Sequence, residues 1–593
     1  MKISLSWLRE LVDFTLSPED LADKLSLSSI GIKQQTQDYL ELDLTYNRGD
    51  LLSLRGIAYE VSAITDAPLK FLTLPPEDFI WVGKDLPKVT IKVESEKLCP
   101  VYCVAKIENL KPEPSPREWV KKLNDCGIRS IDTITDITNL VMLEYGQTIH
   151  AFDAVQVADE TMIVRLAKDG EEFKTLDGKV RKLTTEDLLI ADPKGILSLS
   201  GIMGGKDSEI TQDTNTILLE VAIFDPISIR KTSQRFGIHS EASKRIQHGL
   251  SKMRLLQALD AAIRMYQDLG GRLTAINLVG DFNQVKKSIS LSIKKVNSLL
   301  GIKLDEQTIT QCLKKLNFTV NQAPHIGSSP RSSPRAYGDE RRGEAGAGGA
   351  GGEAILEVIP PYFRMDINIE EDLIEEVARM YGYEKIEGKP LDGEKPEELD
   401  QSLQKTIYSL KSSCKEAGLT EVQTYSFYST QVLSTISYRL SDLIKIANPI
   451  SNETGYLRKD LWPNLVEVVG KNIRVGYKDI AIFEVGKTYQ VVKSGILEEY
   501  RLAIALVNGS DNPIQELASV IASVAKQSTK LKKIATSPSA PRNDKLFHPT
   551  RFSNIKNGEK VIGEIAEIHP RVLNQFGIEK RVAILEIDLE SLI

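Results

Sequence analysis

The chain has 593 residues, 41% apolar and 26% charged, with a formal net charge of -7. That length suits roughly four domains, each with material for a core, and the acidic balance excludes a binder that uses its whole surface for nucleic acid; RNA contact has to come from local basic patches or a partner. No apolar run reaches the ~18 residues that span a bilayer, and MKISLSWLRE leads into Asp13, Glu19 and Asp20, so the expectation is a cytoplasmic chain with no membrane segment.

In chain order, residues 2–5 read as a strand, and Ser17-Pro18-Glu19-Asp20 opens a helix in which Ser17 caps and Pro18 takes the first helical position. Leu40, Leu42 and Leu44 alternate before the turn Asn47-Arg48-Gly49-Asp50, and Ser53 opens a second helix. From about 88 to 277, short apolar runs at 162–166, 188–191 and 217–219 read as strands separated by glycine turns. Helices are expected around 296–300 and 306–316, and 355–359 reads as a strand that resumes this small module. The intervening 323–353 is rich in glycine, proline, serine and arginine and too poor in large apolar residues to offset its ordering entropy, so disorder is expected. Its Ser329-Pro330-Arg331 string is echoed at Ser537-Pro538-Ser539, and both stretches read as insertions. Residues 403–417 read as a helix closed by Gly418, after which strands and helices alternate to 582–587. Cys99, Cys103, Cys126, Cys312 and Cys414 form no C-x-x-C pair and read as reduced, buried thiols.

Residues 360–383, PPYFRMDINIEEDLIEEVARMYGY, carry the most specific pattern. Asn368 followed three positions on by Glu371 is a helix-start signature, and Leu373, Val377, Met380 and Tyr381 recur at helical spacing. Asp372, Glu375, Glu376 and Arg379 then share one face, with Asp366 just ahead of the helix. Like charges placed this way destabilise a helix unless a cation lies opposite. The residues alone leave two readings: a solvated acidic face with Arg379 as counterion, or a site for magnesium or a cationic partner, because hard cations take oxygen ligands.

The string P-x-x-R-x-D-I-x-x-E-x-D-L-I-E-E-V-A-R-x-Y-G-Y resembles the signature of the bacterial-type phenylalanine–tRNA ligase beta-subunit family. The resemblance implies that Asp366, Asp372, Glu375 and Glu376 bind Mg²⁺ shared with an alpha subunit. It covers nearly all of the chain outside the two low-complexity stretches and implies a multidomain α+β fold: an N-terminal α+β domain at 1–85, a mixed α/β editing domain at 86–280, a small helical, winged-helix-like domain at 281–395 interrupted at 323–353, and a degenerate class II synthetase antiparallel-sheet core at 396–593. Only a short connection spans 31–39, where most bacterial members carry an oligonucleotide-binding insertion, and the family's C-terminal anticodon-binding domain is expected to be missing. In the last segment Arg458 has no later arginine companion, so this core is expected to be non-catalytic.

The editing-type segment holds the remaining candidates. A histidine beside an aspartate, as at His150 and Asp153, most often forms a satisfied structural pair, and Glu220 at a strand end could be paired with a lysine or arginine. By the family resemblance, His150 orients water or the tRNA end, Thr138 and Asn139 are polar pocket residues, and Glu220 accepts the hydroxyl of a tyrosine wrongly attached to tRNA. Gly201 and Gly204 would form a glycine-rich wall, with Ser240 and Ala242 on the next wall, serine standing where the family usually has threonine. A second site of this kind meets a physical need, because an apolar pocket rejects an added hydroxyl only weakly.

The resemblance thus implies a beta subunit that supports ATP-dependent attachment of phenylalanine to tRNA, in an assembly of two alpha and two beta chains, and that removes tyrosine. Two other classes remain at this stage: a free-standing editing hydrolase and a non-enzymatic RNA-binding or assembly protein. The shared-metal carboxylates and the full pseudo-catalytic segment favour the first reading, since neither rival needs them.

Overall fold

A computed structural model of the chain describes residues 1–283, 287–322, 354–388, 390, 400–436, 438–451, 454–493, 495–510, 512–527, 534–538 and 546–592. These form two compact units, 1–390 and 391–593. The stretch 323–353, expected to be disordered, lies outside the described residues. The echo at Ser537 lies only partly outside, since Ser537 and Pro538 pair with Asn554 and Ser553 across an antiparallel ladder.

The first unit opens with a three-stranded sheet in which Tyr39–Asp43 runs between Lys2–Ser4 and Gly31–Gln35. The helix Pro18–Ser28 starts as its sequence dictates, Ser17 Oγ accepting from Asp20 N with Pro18 at the first position. Ser53 caps Leu54–Thr65 in the same way, accepting from Gly56 N.

Next comes a four-stranded antiparallel sheet in the order Arg272–Gly280, Val101–Glu108, Ile217–Ile223, Ile149–Asp153. Period-two alternation sends Val101, Cys103, Ala105, Leu219 and Val221 to one face, where the helices Thr133–Tyr145 and Lys252–Asp268 cover them. Tyr102, Val104, Leu218 and Ala222 point the other way, against a five-stranded sheet that contributes Met162, Val164, Leu188 and Leu199. A strand buried on both faces reads as a continuous apolar run. Glu220 interrupts that run on the inter-sheet face.

The unit closes with a three-stranded antiparallel sheet, Ile355–Ile359 lying between Ile289–Ser292 and Thr319–Gln322, packed against the helices Ile293–Leu300, Glu306–Lys315 and Glu370–Tyr381. The second unit is built on a seven-stranded sheet, antiparallel except where Thr420–Glu421 runs parallel to Ile480–Val492. One face buries Ile480, Ile482, Ala503 and Ala505 under Trp462–Val475; the other buries Phe483, Leu502, Ile504 and Leu506 against Leu410, Cys414 and Leu517. The protein is therefore a mixed α+β chain of several sheets. All five cysteines are free and buried. Among the described residues no helix is long and apolar enough to cross a membrane.

Candidate functional site

His150 and Glu220 are 70 positions apart in sequence yet stand directly opposite each other, because Ile149–Asp153 pairs antiparallel with Ile217–Ile223 in the register His150 to Glu220. Side chains of directly opposed residues project from the same sheet face with Cβ atoms ~4.5–5.5 Å apart. Both line a cavity of about 260 Å³ together with Gly201, Gly204, Ser240 and Ala242. Six of the eight residues expected at the editing site thus share one wall system. Leu176, Met203 and Phe224 are among the other residues that line it; Met203 lies between the two glycines of the expected wall, and nothing in the sequence marks Leu176 or Phe224.

Thr138 and Asn139 do not line this cavity. They lie on the helix Thr133–Tyr145, on the far side of the sheet, and Thr138 Oγ1 donates to Thr135 O within the helix. Such back-bonding uses the hydroxyl's proton within the helix.

The two central groups are electrostatically unusual. Burial pushes the Glu220 carboxyl up to about 8, and burial pulls the His150 imidazole down to about 4. Near neutral pH the imidazole is uncharged and the carboxyl mostly protonated, so the cavity holds polar groups without fixed charge. Neither of the satisfied pairings weighed on sequence is present. Asp153 accepts from Thr214 Oγ1 at 2.7 Å and from Val155 N at 3.0 Å, away from His150, whose ring meets Phe152 edge-on with centroids 4.4 Å apart. Glu220 makes no salt bridge among the described residues.

Glycine suits both positions where it lines the cavity, most strictly at Gly201. Gly201 has φ of +61°, and a Cβ there would run into Ile246 Cδ1 and come 3.1 Å from Phe224. At Gly204 a Cβ would sit 3.2 Å from His150 Cε1 and 3.2 Å from Leu176 Cδ1. A methyl at Gly204 would press on His150 and Leu176, and one at Gly201 on Ile246 and Phe224. Ser240 caps the helix Glu241–Gln247, its Oγ accepting from Ser243 N at 3.1 Å, so its hydroxyl proton is free to turn toward the cavity.

The four carboxylates expected to share Mg²⁺ do not converge. Glu376 is 2% exposed and accepts from Arg379 Nε at 2.9 Å, from Arg379 Nη2 at 2.5 Å, and from Arg364 Nη1. Asp366 is held bidentately by Arg364 at 2.9 and 2.7 Å. Asp372 reaches back over the helix start to accept from Asn368 N and Ile369 N, and Glu375 is exposed. Among the described residues no group of three or more His, Cys, Asp or Glu side chains is placed to hold a metal. Arg379, weighed on sequence as a counterion, and Arg364 hold Glu376, and Arg364 also holds Asp366, while Asp372 is turned to the backbone of the helix start. As arranged, the quartet does not fit Mg²⁺. The network extends to the N-terminal segment, where Glu60 accepts from Arg379 at 2.7 and 3.0 Å and from Arg48 at 2.6 Å, and Arg48 also holds Asp50.

In the second unit Arg458 is likewise committed, donating to Glu484 at 2.7 Å, Thr424 Oγ1 at 2.9 Å and Lys487 O at 2.9 Å while 3% exposed. A neighbouring cavity of about 710 Å³, lined by Thr424, Tyr425, Asn464 and Lys471, therefore lacks a free arginine at this position.

Residues 98–271 match the family described as the B3/4 domain, residues 345–383 the tRNA synthetase B5 domain, and residues 391–589 the phenylalanyl tRNA synthetase beta chain CLM domain. A phenylalanine–tRNA ligase beta subunit of Geobacter sulfurreducens is 31% identical, covering 97% of this chain and 70% of its own length. One of Dehalococcoides mccartyi is 33% identical over 93% of this chain and 67% of its own. A solved N-terminal fragment of the Pyrococcus horikoshii phenylalanyl-tRNA synthetase beta-subunit shares 16% identity, covering 64% of this chain and 99% of that one, with a TM-score of 0.34.

Proposed function

The chain belongs to the phenylalanine–tRNA ligase beta-subunit family, and from that premise we propose that the His150–Glu220 cavity hydrolyses tyrosine wrongly esterified to tRNA. The observation that carries the reading is Glu220 itself, a carboxyl buried on an inter-sheet face with no salt-bridge partner among the described residues and lining a cavity. An apolar side chain seated in the cavity would leave this carboxyl unpaired, at a cost of ~1–3 kcal/mol that a ligand hydroxyl avoids. Tyrosine supplies the hydroxyl; phenylalanine leaves Glu220 bare. The cavity, about 260 Å³, lies below the ~300–1,000 Å³ of typical ligand pockets and is scaled to one amino-acid side chain.

His150 is too weakly basic, at about 4, to abstract a proton efficiently near neutral pH. Its task is to orient: one ring nitrogen accepts from the attacking water or the ribose while the other donates. Water adds to the ester carbonyl carbon, the bond from that carbon to the ribose oxygen breaks, and the water's proton passes to the departing ribose oxygen. The neighbouring ribose hydroxyl and the water supply the proton path, so no serine or cysteine nucleophile is needed. Activation of phenylalanine with ATP is assigned to the alpha subunit that a beta subunit accompanies; tRNA is the shared substrate and the cytoplasm the setting. No step in this chain is routed through Mg²⁺.

The test is deacylation of tyrosyl-tRNA by the alpha–beta complex. Glu220→Ala is expected to slow it by about tenfold or more, the worth of one hydrogen bond, with phenylalanine attachment little changed. Equal deacylation by the wild type and the variant overturns the assignment.

A further inference from the structure

The cations that the sequence of the editing-type segment offers for phosphate binding are mostly spent within the fold. Lys121 pairs with Asp38 and Asp125, Lys122 with Glu10 and Glu118, Lys244 and Arg245 with Glu241, and Arg235 with Asp187. A different element carries free charge beside the cavity. Glu172–Lys174 and Val180–Lys182 form a two-stranded antiparallel hairpin, its tip running through Leu176, Asp177 and Gly178.

The hairpin is fixed at the cavity wall and does not swing as a loose flap. Leu176 lines the cavity and its N–H donates to Gly204 O at 3.0 Å, while Thr175 bridges to Gly205. Its inner face is pinned as well. Phe173 joins the inter-sheet core, Thr175 is fully buried, and Arg181 donates to Thr175 Oγ1 at 3.1 Å and to Asp177 at 2.7 Å while lying over the Phe236 ring. By strand alternation Lys174 and Lys182 project from the opposite, outer face, and Lys179 stands at the tip. All three are exposed, and none makes a salt bridge or a side-chain hydrogen bond among the described residues. Glu172 stands cross-strand from Lys182, Glu171 and Glu172 line a neighbouring cavity with Lys174, and Asp177 lies at the tip near Lys179.

We propose that this hairpin is the arm that grips the phosphates of the single-stranded 3′ end of a tRNA and seats its ester over the His150–Glu220 cavity. The inference rests on the hydrolytic reading above and names the contact that delivers its substrate. Lysine ammonium groups act as unoriented point charges, which suits backbone phosphates and carries no base preference. That is what a site serving one invariant RNA end needs. Leu176, between Lys174 and Lys179 in sequence, is both a tip residue and a wall of the cavity, which puts the arm at the cavity's edge.

The test is single-turnover deacylation of tyrosyl-tRNA by the complex, with the wild type, Lys174→Gln/Lys179→Gln/Lys182→Gln and Glu220→Ala compared across tRNA concentration and salt. Each phosphate contact on a single strand contributes ~0.7 to the log–log salt slope, so losing three lowers the slope by ~2. Between 50 and 200 mM salt, the wild-type half-saturating tRNA concentration should rise ~20-fold more than that of the triple variant, whose saturated rate should stay near wild type. The Glu220→Ala variant should instead lose saturated rate with its salt slope intact. If Glu220→Ala slows the reaction but the triple variant keeps both half-saturation and slope, the arm is wrong and the hydrolytic site stands. If the wild type does not deacylate tyrosyl-tRNA, the hydrolytic reading fails and the arm falls with it.

Discussion

Replacing Glu376 with glutamine should destabilise the first unit severely and without reference to magnesium. Glu376 bridges Arg364 and Arg379, and both arginine side chains are about as buried as the carboxylate, at 2% and 5% exposure. Burial alone would raise this carboxyl, yet the charge of Arg379 and the hydrogen bonds from Arg364 bring it down to about 2, from an ordinary 4.5. Because the folded value lies below the unfolded one, its stabilisation is complete above pH 4.5 and is lost as pH falls through about 2. At ~1.4 kcal/mol per unit this amounts to about 3 kcal/mol, which agrees with the ~3–5 kcal/mol lost when one member of a buried ion pair is removed. Glutamine keeps the shape but turns an amide donor toward two donors, so the upper part of that range is expected. The assay is urea unfolding near neutral pH, followed through a probe in the first unit, with millimolar Mg²⁺ and again with chelator. The wild type should unfold at the same midpoint in both, and Glu376→Gln should lose the same amount in both. A variant as stable as wild type, or a wild-type midpoint that falls when magnesium is removed, would refute the internal-clamp account and return Glu376 to the metal.

That clamp shows what a linear sequence conceals. The i, i+3, i+4 spacing of Asp372, Glu375 and Glu376 was legible, and so was the need for a cation opposite. The cations that answer it come partly from Arg364 and Arg379 close by, while Arg379 also answers Glu60, more than 300 positions earlier. Local spacing misplaces the helix start for a related cause. Glu370 begins the helix, and Asp372, not Asn368, reaches back to the orphan N–H groups, while Glu371 is drawn off to Lys295 at 2.6 Å. At the cavity, alternation within 217–223 could place Glu220 among apolar neighbours, but only strand pairing could set it opposite His150. Thr138 is expected at the pocket by the family resemblance alone, and here its helix packs Ile134, Ile137 and Val141 onto the other face of the sheet. The hairpin lysines are illegible in the sequence for the converse reason: no residue between 172 and 182 is unusual until Leu176 is seen against Gly204.

Two further consequences concern the cavity. Gly201→Ala should cost ~1–3 kcal/mol, because the added methyl meets Ile246 and Phe224 at a backbone φ of +61°. It should suppress tyrosyl-tRNA deacylation far more than phenylalanine attachment, and deacylation at the wild-type rate would mean that the wall does not bound the substrate. Glu220→Gln should change how stability depends on pH. A carboxyl raised by burial from 4.5 to about 8 helps the fold only while protonated: its folded state binds a proton that the unfolded chain has already released, so stability is full below pH 4.5 and is lost as pH rises through about 8. The loss is on the order of 4–5 kcal/mol when complete, and since glutamine carries no titrating group, the variant should not show it. His150 acts at the opposite end. Its folded value of about 4 lies below an ordinary 6.5, so its contribution is present above 6.5 and is lost as pH falls through about 4 in wild type and variant alike. Urea midpoints measured from pH 5 to pH 9 should therefore coincide near the acid end and diverge on the alkaline side, with Glu220→Gln the more stable chain at pH 9. Curves that stay parallel throughout would show that Glu220 is ionised in the folded protein, that water or a cation reaches it, and that the uncharged cavity on which tyrosine recognition rests does not exist.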